Sequence, residues 1–212
     1  MSISDNISAM SSINDSSRGR GRPREFDIDE ALDRAILHFR KHGYNGVSIA
    51  DLSGALKLSS GSIYKAFLNK HNLFSAALDR YMALRSARLL DIMNSEESGR
   101  EKLRRLLVFY AESSHASEGR YGCLVIVGAV ELASTDEEIA AKVSSALEGN
   151  QKRLKDIILQ GQNDGSISKK VDAETTARLM LSLAQGMRVL GKTGQKREDM
   201  MAVVDAAMQL LN

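Results

Sequence analysis

The strongest constraint on this chain is what it lacks. It has one proline in 212 residues, Pro23. Past that residue no segment sustains a period-two alternation of apolar and polar side chains. Apolar residues instead recur at spacings of three and four, the signature of one helix face. An all-α fold of about nine helices is expected. The core should rest on Leu, Ile, Val, Ala and nine Met, since the chain has no Trp and few other aromatics. A single cysteine excludes a disulfide framework and any Cys-only zinc site, and it fits a reducing compartment. The beginning MSISDNISAM has neither a basic start nor an apolar run, so no signal peptide is read there and a cytoplasmic location is expected. The most apolar stretch, Cys123 to Val130, is too short to span a bilayer.

The charge is unevenly placed. Residues 18–75 hold 10 Lys/Arg and 6 Asp/Glu, whereas residues 76–212 hold 19 of each. A basic N-terminal part on a neutral body points to nucleic acid facing one end of the molecule. Residues 1–24 read as a flexible tail, polar through residue 17 and then a basic arm, Arg-Gly-Arg-Gly-Arg-Pro-Arg, over 18–24.

Helix signals begin at Asp27, which forms a capping-box pattern with Glu30. Ile28, Leu32, Ala35, Ile36 and Phe39 follow on one face, and Gly43 ends the helix. Ser48 and Asp51 open a second helix of about two turns, and a tight connection runs through Lys57, Leu58 and Ser59. A third short helix runs from Ser60 to Phe67, and a long fourth starts near Asn69. Further helices are expected over 101–114, 123–133, 135–162 (opened by a Thr135/Glu138 box), 173–190 and 198–211. In the last, 10 of the 12 residues from Met200 to Leu211 are apolar. A helix apolar nearly all round needs cover on every side. A second copy of the chain would supply it, through Met180, Leu183, Met187, Leu190, Val203, Val204, Ala207 and Leu211, the alternative being a core helix fully buried within one subunit.

Three short helices with a tight turn between the second and third define helix-turn-helix geometry, with the third helix in the major groove. Residues 47–74 read VSIADLSGALKLSSGSIYKAFLNKHNLF. Ser48, Asp51, Leu52, Ser59, Gly61, Ser62, Ile63, Tyr64, Phe67 and Lys70 resemble, in type, order and spacing, the DNA-binding domain of the TetR family of transcriptional regulators. Gly21 to Asp27 resemble that family's arm and the start of its first helix. The resemblance implies a helix-turn-helix domain over 25–86, with the motif itself at about 48–67. It also implies an α-helical ligand-binding and dimerisation domain over 87–212. It departs from the family at Lys57, where glycine is frequent, and at Ala66, where His or Tyr is frequent. A left-handed Lys57 would store about 1 kcal/mol of strain.

By residue type, Ser48 at a helix N-terminus, Tyr64 and Lys70 are phosphate binders, with half-buried packing the alternative for Tyr64. Ser59, Ser60, Ser62 and Lys65 face the groove, with Ser59 either a base contact or the N-cap of the third helix. The third helix has no Arg, Asn or Gln for bidentate base contacts, so specificity must come partly from dimer spacing and the arm. Arg20, Arg22 and Arg24 resemble the minor-groove core of an AT-hook, the alternative being a loose polycation that adds only affinity.

The resemblance further implies an unidentified small-molecule effector in the body. Phe109, Tyr110, Met93, Met180 and Met187 are candidate pocket residues, or simply core. Cys123, beside Gly122 and near Arg120, is either an electrophile sensor or a small packed residue. The four histidines show no metal-ligand spacing, and no metal or other cofactor is expected. The reading is therefore a homodimeric repressor on palindromic double-stranded DNA, with no membrane partner. Its alternatives are an activator of the same fold or an architectural DNA binder that senses nothing. No nucleophile–base pair or phosphate loop supports an enzyme.

Overall fold

The computed structural model describes residues 26–212. Arg20, Arg22 and Arg24 lie outside the described residues. Ten α-helices follow one another: α1 Ile28–His42, α2 Ile49–Leu56, α3 Ser60–Phe67, α4 Lys70–Met93, α5 Gly99–Glu112, α6 Ala116–Tyr121, α7 Leu124–Glu131, α8 Glu137–Asp164, α9 Ala173–Leu190 and α10 Arg197–Gln209. A 3-10 turn, Gly191–Thr193, joins the last two. No strand occurs among the described residues.

The starts and stops have local causes. Asp27 caps α1 by accepting from Asp29 N and Glu30 N. Its expected reciprocal partner Glu30 bonds Arg34 instead, so the box is half formed. Ser48 and Asp51 form the complete box, each side chain accepting from the other's backbone N–H. Gly43 closes α1 at φ 78°, where a Cβ would stand 2.3 Å from Glu131 Oε1. The α8 cap is Asp136, which accepts from Ile139 N; the expected Thr135 donates to Leu132 O. Glu138 turns away to Ser75 and Lys142.

Lys57 is left-handed at φ 56°, ψ 41°, as the missing glycine implied. Replacing it with glycine should raise stability by about 0.5–1 kcal/mol in urea unfolding, the released strain exceeding the added freedom of the unfolded chain.

Two apolar cores are strung on α4. Its first half gives Leu73, Phe74, Ala77, Leu78 and Tyr81 to a core shared with α1–α3, α7 and the start of α8. Its last turns give Leu89 and Ile92 to a second core with α5, α8, α9 and α10. Full burial of each Leu, Ile or Phe contributes about 1.5–3 kcal/mol, and Phe39, Leu52, Ile63, Phe74 and Leu124 are all completely buried. The boundary expected near residue 86 therefore falls inside a continuous helix.

The expected dimer face needs correcting. Met180, Met187, Val204, Ala207 and Leu211 are buried within their own chain, because α5 and α8 already cover those faces. Leu183 and Val203 are half-buried, and Leu190 is exposed. The free apolar stripe runs along the outer side of α9 through Leu179, Leu183, Gly186 and Leu190, with Val189 beside it.

Candidate nucleic-acid interface and body cavity

The three-helix head is organised around one aromatic cluster. Phe39 and Phe74 meet edge to face at 5.1 Å between centroids, and Tyr44 meets Phe74 at 5.2 Å. Ile63 and Phe67 anchor α3 to this core. That leaves the opposite side of α3 outward: Ser59, Ser60, Gly61, Tyr64 and Lys65 are exposed and Ser62 is half-buried. Tyr64 is 49% exposed, so half of the side chain packs and half faces outward. A Cβ on Gly61 would have only Ser59 Oγ nearby, at 3.8 Å, so this face is unobstructed.

Ser59 caps α3 by accepting from Ser62 N, and the two hydroxyls lie 2.9 Å apart. Both serines thus hold each other, and Ser60, Tyr64 and Lys65 are the freer side chains. At the start of α2, the Asp51 carboxyl accepts from both Ser48 N and Ser48 Oγ, and these hydrogen bonds hold it below its usual range. Arg34 of α1 donates to Leu56 O and so closes the far end of α2. The turn is thereby fixed at both ends.

Lys70 departs from its expected role as a free phosphate binder. Its ammonium donates to Tyr44 O at 3.1 Å and Val47 O at 2.9 Å, and lies 4.2 Å from the centre of the Tyr44 ring. It braces the connection between α1 and α2. Lys70→Met should lower stability by about 1–3 kcal/mol. The salt dependence of DNA binding should stay unchanged, whereas loss of a phosphate contact would flatten the slope by about one. Urea unfolding and salt-dependent fluorescence anisotropy separate the two roles.

Body residues hold the head in place. Glu131, at the end of α7, accepts from Tyr44 N at 2.9 Å and Asn45 N at 2.8 Å. Within the head itself, Arg80 of α4 pairs with Asp29 and Asp33 of α1. Lys142 of α8 reaches Asp79 at 2.6 Å. Arg40 of α1 donates from Nε to Gly122 O and pairs with Glu118 at 2.7 Å. Gly122 O also accepts from Arg188 of α9. This one carbonyl ties the head to the body. The short helix α6 that supports it was absent from the sequence reading.

A cavity of about 510 Å³ opens in the body among α4, α7, α8 and α9. Of the expected pocket residues, Tyr110 and Cys123 line it. Phe109 instead lies under the Arg85 guanidinium, 4.6 Å from centroid to Cζ. Met93, Met180 and Met187 pack in the second core and are not among the residues that line the cavity. Arg85, Arg153 and Gln185 are cavity residues that apolar periodicity could not reveal. Cys123 is buried at 8% exposure, at the N-cap of α7 without a side-chain capping bond. The histidines have ordinary partners: His71 pairs with Asp136 at 2.6 Å, His115 with Glu112 at 2.9 Å, and the His38 and His42 rings lie 4.7 Å apart.

Comparison with known proteins agrees with this architecture. The pattern of the bacterial regulatory proteins of the tetR family matches residues 31–77, and that of the tetracyclin repressor-like C-terminal domain matches 99–207. The chain belongs to the TetR family, whose members are DNA-binding regulators rather than enzymes. Among curated relatives, the HTH-type transcriptional repressor ComR of Escherichia coli (strain K12) is 29% identical over 194 residues, 91% of this chain and 92% of the relative. The transcriptional regulator AcuR of Cereibacter sphaeroides is 31% identical over 163 residues, 76% of this chain and 74% of that one. Among solved structures, a cysteine mutant of the TetR family regulator CifR, complexed with 26-bp double-strand operator DNA, superposes with a TM-score of 0.81. It is 30% identical, and the match covers 91% of this chain and all of that one. Among the described residues no helix is long and apolar enough to cross a membrane.

Proposed function

We infer that this chain is a dimeric transcriptional repressor that leaves its operator when a small molecule occupies the body cavity. The outward, unpacked face of α3 carries the reading. Ser60, Tyr64 and Lys65 supply contacts to the groove and its phosphates, with Ser48, Ser59 and Ser62 fixing the helix ends beside them. Arg20, Arg22 and Arg24 read a narrow minor groove next to it. Residues 25–86 act as the reading head and 87–212 as the sensing and pairing body. The repressor names of relatives such as ComR support this direction of control.

The pairing surface is the outer stripe of α9, where Leu179, Val189 and Leu190 are 43%, 52% and 48% exposed. A Cβ on Gly186 would meet nothing within 4 Å, so a second helix can approach closely there. An effector shifts the population of body geometries. The heads then no longer match successive major grooves about 34 Å apart. Cys123 on the cavity wall supports a second reading, in which an electrophile reacts with its thiol. Under that reading Cys123→Ser abolishes release by the electrophile and leaves operator binding intact.

The test is selection from a randomised duplex pool at two salt concentrations, with the intact chain and with residues 1–24 removed. A palindromic site with steep salt dependence is the expected result. Loss of A·T preference flanking that site on truncation assigns the arm to the minor groove. Failure to enrich any sequence overturns the regulator reading.

A further inference from the structure

The cavity is lined unevenly. Met82, Leu89, Val125 and Ala146 supply apolar lining. The ionisable groups facing it include Asp79, Arg85, Lys142 and Arg153. Lys142 pairs with Asp79, which leaves the two arginines. Among the described residues Arg153 reaches only the side-chain oxygen of Asn150, at 2.7 Å. Arg85 makes no ion pair among the described residues, and its Nη2 is buried without a hydrogen-bond partner. Three rings surround its guanidinium, with centroids 4.6 Å (Phe109), 5.4 Å (Tyr110) and 5.7 Å (Tyr81) from Cζ. The neighbouring carboxylate, Glu118, is taken by Arg40.

Other polar atoms around this point are in the same condition. Gln185 Oε1 on the cavity wall and Tyr81 OH behind it are buried and unpartnered. Burial pushes the Tyr81 phenol up to about 12, so it stays a neutral hydrogen-bonding group. Arg188, 1% exposed, uses one nitrogen on Gly122 O and leaves Nε and Nη1 without partners. Native interiors rarely leave so many polar groups unmet in one place. A buried guanidinium without a counter-charge is among the costliest arrangements a fold can hold.

We propose that the cavity binds an organic carboxylate, with its anionic head on Arg85 and its apolar body against Met82, Leu89 and Val125. This rests on the effector reading above and names the chemical class of that effector. A guanidinium takes a carboxylate through two parallel N–H···O bonds, while its face stays stacked on the rings. The Gln185 amide can present either its oxygen or its NH₂ by rotation. Inorganic phosphate fits less well, because Met82, Leu89 and Val125 in the lining offer it no donor. The volume lies within the range of small-molecule sites.

The experiment uses the full chain and three probes, benzoate, trans-cinnamate and octanoate. Each is compared with its primary amide and with inorganic phosphate, by thermal shift and isothermal titration at up to millimolar concentration. At least one carboxylate is expected to bind at least about tenfold more tightly than its amide. Arg85→Gln should remove that preference, and Arg85→Lys should restore part of it. Gln185→Leu, which leaves every charge in place, should weaken the same carboxylate without equalising it with its amide. Each variant is first checked for its helical circular dichroism and for the operator affinity of the parent. Should Arg85→Gln fail to fold, Arg153→Gln and Gln185→Leu carry the test. Equal binding of acid and amide overturns the proposal, as does undiminished carboxylate binding by Arg85→Gln, or protection by phosphate equal to that by every carboxylate. Failure of all three carboxylates to bind also overturns it. Operator enrichment is scored separately, so each of these outcomes leaves the DNA-binding reading standing.

Discussion

Phe39→Ala is expected to lower stability by about 3–5 kcal/mol, and operator binding should be lost with it near physiological temperature. Phe39 is completely buried, at the centre of the head. Its ring supports Phe74 of α4 and stacks near Tyr44, whose carbonyl and ring both hold Lys70. Removing the ring leaves a cavity among the α1, α4 and Tyr44 side chains that pack on it. Domains of this kind retain about 5–15 kcal/mol in total, so the loss is a large share. Urea unfolding followed by circular dichroism gives the first quantity, and anisotropy with labelled operator gives the second. Leu37→Ala, on the outer face of the same helix, serves as control and should cost far less.

The second large effect concerns the body. Gly99→Ala places a Cβ 2.2 Å from Gly161 N, 2.5 Å from Gly161 Cα and 2.6 Å from Ile157 O. All three are backbone atoms of α8, so no rotamer change relieves the clash. Helices α5 and α8 must separate, which also strains the bond from Gly99 N to Asp164 Oδ2, now 2.8 Å. Overpacking of this kind costs about 1–3 kcal/mol, and the thermal midpoint should fall by roughly 2–12 °C. Gly149→Ala is the matched control. A Cβ there meets nothing within 4 Å, so the helix gains propensity and stability holds or rises. Below the melting transition Gly99→Ala should still bind operator, since the seam lies in the second core, away from the aromatic cluster of the head. Scanning calorimetry with and without operator separates this outcome from that of Phe39→Ala.

The head was readable from sequence because its determinants are local. Caps at Asp27, Ser48, Ser59 and Asn69 sit three residues or fewer from the N–H groups they satisfy. The strained Lys57 was visible as a lysine at a glycine position. What stayed hidden depends on partners far along the chain. Lys70 is committed to carbonyls 23 and 26 residues away, and Glu131 to amides 86 and 87 residues away. Helix α6 carries no apolar periodicity in Ala-Ser-Glu-Gly-Arg-Tyr, so nothing local announces it. Composition showed that α9 and α10 are rich in apolar residues, but not which face the chain covers itself. Here α5 covers α10, which removed Val204, Ala207 and Leu211 from the pairing surface. Of the cavity's lining, Tyr110 and Cys123 were named from sequence and its polar groups were missed for a related reason. Its defining groups are arginines and a glutamine, which a search for apolar pocket residues passes over.

Helix α4 is a single rod of 24 residues, planted in both cores. Its length is about 36 Å, and no loop or proline along it can absorb a change of direction. A rod of that kind works as a lever. A tilt of about 5° at the body end moves the head end by about 3 Å. In a two-fold pair both heads move, so the distance between reading helices changes by up to roughly twice that. A sub-ångström adjustment around the cavity is thus converted into a misfit comparable to the spacing of one base pair.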